Sequence, residues 1–255
     1  MCAILASDPV VRGRFNGLPA SGPVRQDDGS IAMRLIIKYP TRSRPDQFRK
    51  TVARYIDLLA EPENTRFLFT CDTDDGSMCN DDMRTFIAQL PVGNRLVYGS
   101  SKSKVEAINR DLNEYEYPWD ILLLASDDML PNVHGYDNLI RQQFEANGPD
   151  HYLWINDGRQ DRICTIECFD RAYYERDRRI YDPGFFSLWC DNLNTDLATE
   201  RGRLLKAPNW ITNESPDWGG SISNDDLYRR NNRFYRIDQR TYQRITKERK
   251  LKRAA

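Results

Sequence analysis

The chain has 255 residues, 37 of them Lys or Arg and 38 Asp or Glu, for a formal net charge of −1. With 40% apolar and 29% charged residues it has the composition of a globular fold with one sizeable core. The near-zero balance gives no global electrostatic case for nucleic acid or a membrane as partner. No apolar run approaches the ~20 residues of a membrane span.

Cysteines and histidines narrow the chemistry further. Cys2, Cys71, Cys79, Cys164, Cys168 and Cys190 form no CxxC pair, and the only histidines are His134 and His151. A zinc centre is therefore not expected. Several of these cysteines fall in apolar runs, which predicts buried reduced thiols and a cytoplasmic location.

In chain order, residues 1–32 mix Gly, Pro, Ser and Asp without periodicity and read as a flexible leader. Arg34 to Tyr39 is a first buried strand. Pro40-Thr41-Arg42-Ser43-Arg44-Pro45 follows as a polar loop. Ser43 and Asp46 match a capping box, with Pro45 suited to the first helical turn. Phe48, Val52, Tyr55, Ile56 and Leu59 then share one helical face. Phe67 to Cys71 is a second strand that runs into Asp72-Thr73-Asp74-Asp75. Met83, Phe86, Ile87 and Leu90 mark a second helix, and Arg95 to Tyr98 a third strand. Residues 99–104 form a loop of small and basic residues that opens a helix marked by Val105, Ile108 and Leu112.

The run from Ile121 to Ala125 is too short for a helix and suits a strand buried on both faces. It ends in Asp127 and Asp128. Two adjacent carboxylates repel each other and favour a hard cation such as Mg²⁺ or Mn²⁺, which in turn holds phosphates. Tyr136, Leu139, Ile140 and Phe144 close a fourth strand-then-helix unit. Four such units predict an α/β fold with a mostly parallel central sheet flanked by helices. Beyond it, Tyr152 to Asn156 and Arg162 to Cys168 read as strands and Phe169 to Arg178 as a helix. They extend the same domain as an acceptor-facing segment. The stretch from Arg229 to Arg253 is locally basic and reads first as a solvated helical face.

In such a sheet the loops after the first, second and fourth strands gather at the carboxyl edge. They would bring together Thr41, Arg42 and Ser43, then Asp72, then Asp127 and Asp128. Lys104 could add a cation near phosphate at a helix amino end. The set suits a nucleoside diphosphate. There is neither a Walker loop nor a GxGxxG fingerprint, so ATP hydrolysis and dinucleotide redox chemistry lose ground.

The order of these motifs resembles the family 2 glycosyltransferases of the GT-A fold. The matching pieces are a strand ending in Asp72, the Gly99-Ser-Ser-Lys segment reaching Asn109, and Leu-Leu-Leu-Ala-Ser-Asp-Asp ending at Asp128. The resemblance covers about residues 33–235, with 236–255 left as a basic tail. It implies a Rossmann-like GT-A domain that moves a sugar from a nucleotide-diphosphate sugar, first a UDP-sugar, to an unknown acceptor with inversion. It places the nucleobase contact on Asp72 and the Mn²⁺ or Mg²⁺ on Asp127 and Asp128. It makes Asp191 the general base, with Asp196 in reserve. Two departures stand out. Ala125 replaces the first acid of the usual Asp-x-Asp-Asp, and no histidine follows His151, leaving Asn209 or Asn213 in its region. They keep open a sugar-nucleotide-binding protein without turnover. A nucleotidyltransferase is the third alternative.

Overall fold

The computed structural model describes residues 33–222 and 224–254. The expected leader lies outside the described residues. The chain opens β1 (Leu35–Pro40), α1 (Pro45–Asp57), β2 (Thr65–Asp72), α2 (Asp81–Ala88), β3 (Gly93–Gly99), α3 (Lys104–Asn109) and β4 (Ile121–Leu124). It continues with β5 (Met129–Pro131), α4 (Tyr136–Asn147), β6 (Tyr152–Ile155), β7 (Cys168–Asp170) and α5 (Arg171–Glu175). It closes with α6 (Cys190–Glu200), β8 (Leu204–Ala207), β9 (Ile211–Asn213), α7 (Asp226–Asn232) and α8 (Tyr235–Ala254).

Seven strands form one sheet in the order β3-β2-β1-β4-β7-β6-β8. β3, β2, β1 and β4 run parallel, and β7 is antiparallel to both neighbours. Alternate residues feed two cores. Ile37, Phe69 and Leu123 pack under α1, α2 and α4. Ile36, Leu68 and Leu122 face α3 and α6 on the other side. A sheet covered on both faces needs strands apolar throughout, which is why these segments read as unbroken apolar runs. After β3 the chain returns across β1 to lay down β4. The strand order therefore reverses between β1 and β4, and the crevice beyond their carboxyl ends is where an open α/β sheet binds ligands.

Four expectations meet local differences. Ser43 does not cap α1. It sits at φ +61° and its amide donates to Asp75 Oδ2 at 2.7 Å, while Pro45 begins the helix after an uncapped Arg44. Residues 162–167 are not a strand. Buried Asp157 collects the amides of Arg159 and Gln160, the Gln160 side chain and the Thr165 hydroxyl at 2.6–3.0 Å, and that wraps the segment into a loop. The helix expected from Phe169 is shorter, because Asp170 caps it through the Tyr173 amide at 2.8 Å. The basic stretch from Arg229 is helical as expected, in α7 and α8, but not wholly solvated, since Tyr242 and Ile245 of α8 pack against the second core.

Candidate active site

One cavity of about 560 Å³ opens over the carboxyl ends of β1, β2 and β4. Thr41, Arg42, Asp72, Lys104, Asp127, Asp128 and Asp191 all line it. Ser43 and Asp196 do not. Ser43 turns toward Asp75, and Asp196 lies further along α6, where it accepts the Tyr242 hydroxyl at 2.6 Å. Asn213 lines the cavity, whereas Asn209 spends its amide on Asn156 O at 2.9 Å.

Asp127 is held from several directions. Tyr39 Oη donates to Oδ1 at 3.0 Å and Thr41 Oγ1 lies 3.3 Å from Oδ2. Its carbonyl accepts Thr51 Oγ1 at 3.1 Å and Gln47 Nε2 at 3.2 Å, so α1 fixes the backbone. Burial raises its pKa to about 7 against Arg44 and Tyr39, with Asp128 adding to the rise. The neighbouring Asp128 accepts the Ser126 hydroxyl. Among the described residues, no group of three His, Cys, Asp or Glu side chains stands together to hold a metal ion.

Asp72 sits between two guanidinium groups. Arg42 Nη1 reaches Oδ2 at 2.9 Å and also grips Asp74 with both nitrogens at 2.6 and 2.9 Å. Arg110 Nη1 lies 3.4 Å from Oδ1 and 3.0 Å from Ser101 Oγ. Behind Arg110, fully buried Lys38 donates to Thr70 Oγ1 and to Arg110 O, and burial lowers its pKa to about 7. Nothing in the sequence marked Arg110 or Lys38. One follows a short helix and the other looks like a stray cation within an apolar strand.

Asp191 comes from the opposite wall, in the first turn of α6. Burial raises its pKa, and Lys104 across the cavity opposes the rise. Lys104 stands there because Ser103 caps α3 through the Glu106 amide at 3.1 Å. Trp189, just before Asp191, adopts φ +64° and is flanked by Tyr235 and Tyr242 of α8. Trp189 Nε1 and Ser187 Oγ are buried on this wall without a hydrogen-bond partner among the described residues.

The loop carrying these groups is pinned by one carboxylate. Fully buried Asp238 accepts the amides of Phe186, Ser187 and Leu188 at 2.9, 2.8 and 2.8 Å. It is the one acid between Leu227 and Lys247, a lone negative charge in a basic stretch, and that contrast was its only signal in the sequence. Asp238→Asn turns an N–H toward these donors. It is expected to cost about 2–3 kcal/mol of unfolding free energy by chemical denaturation.

Behind Asp191, fully buried Glu167 accepts Tyr152 Oη at 2.6 Å and Asn194 Nδ2 at 3.0 Å. Burial pushes its pKa from 4.5 to about 8. The fold therefore holds a proton that the unfolded chain gives up from about pH 4.5. This contribution to stability is complete below pH 4.5 and is lost as pH rises to about 8. The slope is at most about 1.4 kcal/mol per pH unit. Glu167→Gln is expected to flatten it in denaturation midpoints taken across that window.

No protein-family model and no curated protein matches the chain. Solved structures do. The mannosyltransferase PcManGT from Pyrobaculum calidifontis, in complex with GDP-Man and Mn²⁺, superposes with a TM-score of 0.59 at 15% identity over 78% of this chain and 62% of its own. S. aureus TarS 1-349 in complex with UDP gives 0.55 at 13% identity over 77% of this chain and 63% of its own. The same protein with UDP-GlcNAc gives 0.54 at 12% identity. The chain thus spans under two thirds of each of these proteins. Sheet order, crevice position and these likenesses agree that the chain has the GT-A-like fold of glycosyltransferases.

Proposed function

We propose that the chain is a glycosyltransferase that binds a nucleoside-diphosphate sugar, first a UDP-sugar, and moves the sugar to an acceptor hydroxyl with inversion. The observation that carries this reading is the convergence of Asp72, Asp127 and Asp191, from three distant segments, on one cavity. Asp72, steadied by Arg42 and Arg110, would receive the nucleobase. Thr41, Arg42 and Lys104 stand where the donor's ribose and phosphates would pass.

The donor set at the end of β4 fits Mn²⁺ or Mg²⁺ in one way only. Asp127 and Asp128 supply hard oxygens but too few for a closed cage. Such a cation would take the rest of its shell from the diphosphate and water. When bound, it would neutralise charge growing on the departing diphosphate. Asp191 would accept the acceptor's proton as that oxygen bonds to the anomeric carbon. The bond from that carbon to the phosphate oxygen breaks in the same step, and its electron pair leaves with the diphosphate. Burial has already raised the basicity of Asp191.

Thermal-shift titration with nucleoside diphosphates and their sugars, with and without Mn²⁺, tests the reading, followed by an assay of slow donor hydrolysis. Metal-dependent stabilisation together with hydrolysis is expected. Binding without hydrolysis would leave a sugar-nucleotide-binding protein, and no binding would overturn the site.

A further inference from the structure

The overall charge of −1 conceals a strongly polarised helix. α8 carries eight Lys and Arg residues against two acids. At 100° per residue, Arg236, Arg240, Arg244, Lys247 and Lys250 fall within about 120° of arc and extend over about 21 Å. All five are exposed. Arg244 alone of the five has an ion-pair partner among the described residues, Glu248 at the border of the stripe. The opposite face is spent inward. Asp238 is buried, Tyr242 and Ile245 pack on the core, and Arg249 and Arg253 pair with Glu200.

A purely cationic stripe would suit any polyanion in water. This one is interleaved with apolar groups. Among the described residues the exposed large hydrophobics are Phe186, Tyr235, Ile237 and Leu251. Three belong to α8, and Phe186 stacks on Phe234 immediately before it, with centroids 4.8 Å apart. Leu251 lies within the basic arc and Ile237 at its edge, 62% and 49% exposed. A helix face that sets Ile237 and Leu251 among five cations matches a partner that is both apolar and anionic. An anionic lipid surface is both. Its headgroups would meet the cations while Ile237 and Leu251 enter the acyl boundary. No described helix is long and apolar enough to cross a membrane, so such contact would be with one face only.

We propose that α8 docks the protein flat on a bilayer bearing anionic headgroups. Phe234, just before α8, and Tyr235, its first residue, line the cavity, so docking would keep the cavity near the lipid surface. The docking itself is independent of the reaction proposed above.

The test is co-sedimentation of the full chain with vesicles of phosphatidylcholine alone or mixed equally with phosphatidylglycerol. Binding to the mixed vesicles only, weakened by salt, is expected. Arg240→Gln with Lys247→Gln should lower partitioning about 25-fold, at roughly fivefold per cation. Ile237→Ser with Leu251→Ser should lower it several-fold while leaving retention on polyphosphate resin unchanged. All these positions are on the surface, and an unaltered melting temperature confirms the fold. Equal binding to both vesicle types, or none, overturns the proposal. Lipid binding that ignores the apolar pair while polyphosphate competes fully would make the stripe a soluble-polyanion surface and overturn it equally.

Discussion

Asp191→Asn is expected to lower sugar transfer by about 10³-fold while donor affinity stays within about twofold, because general-base catalysis is worth roughly 10²–10⁴. The substitution keeps the size of the side chain and removes its capacity to take a proton. Among the described residues the Asp191 carboxylate accepts the Asn192 amide at 2.9 Å and no side-chain donor, so little of the fold depends on its charge. In the proposed reading the donor would be held from the other wall, through Asp72, Arg42 and Asp127, and those contacts should survive. Nucleotide affinity by titration and transfer rate by donor consumption separate the two effects. Transfer at the parent rate would remove Asp191 from the chemistry. Asp196 is not a ready substitute, since it faces Tyr242 and not the cavity.

Asp127→Ala should act on the other half of the reaction. Metal-dependent donor binding is expected to vanish, and transfer to fall by about 10²-fold or more with the lost charge neutralisation. The alanine variant also strips an acceptor from Tyr39 Oη and Thr41 Oγ1, at a cost of about 1–3 kcal/mol for a buried donor left unpaired. Asp127→Asn is therefore the companion variant. It keeps an acceptor oxygen for both hydroxyls and still withdraws the charge. If the asparagine form binds donor and Mn²⁺ as tightly as the parent, the cation is not held at the end of β4.

Two features of the wall around Asp191 link fold to function more closely than the acids alone suggest. Asp238 ties the chain's last helix to the loop that carries Ser187 and Trp189, through three amides. Arg44 ties the loop after β1 to Asp225, the cap of α7, with both nitrogens at 2.6 and 2.9 Å. The C-terminal helices thus form one side of the cavity. α8 carries the exposed basic stripe and, through Tyr235 at its start, a piece of the cavity wall.

The β-then-α order was legible because strands buried on both faces must be apolar throughout, and helices with one buried face must repeat near every fourth residue. Ile121 to Ala125 and the face of Phe48, Val52 and Tyr55 obey those rules strictly. Asp72 and Asp127 could be named because strand ends in such sheets share one rim. β5, β8 and β9 were not legible. They are three or four residues long, and β8 is only partly buried over most of its length, so no period can register in them. The segment at 162–167 was misread as a strand because local apolar character cannot reveal a buried carboxylate, Asp157, gathering four donors.

By itself, the sequence determined the layered α/β architecture and the chemical type of the rim, since both rest on patterns repeated within a few residues. Tertiary structure decided which acids share a cavity, which way Asp191 and Asp196 face, and which face of α8 packs inward and which is left in water. These depend on contacts between segments as many as 181 residues apart, as between Arg44 and Asp225, and no local pattern encodes such distances.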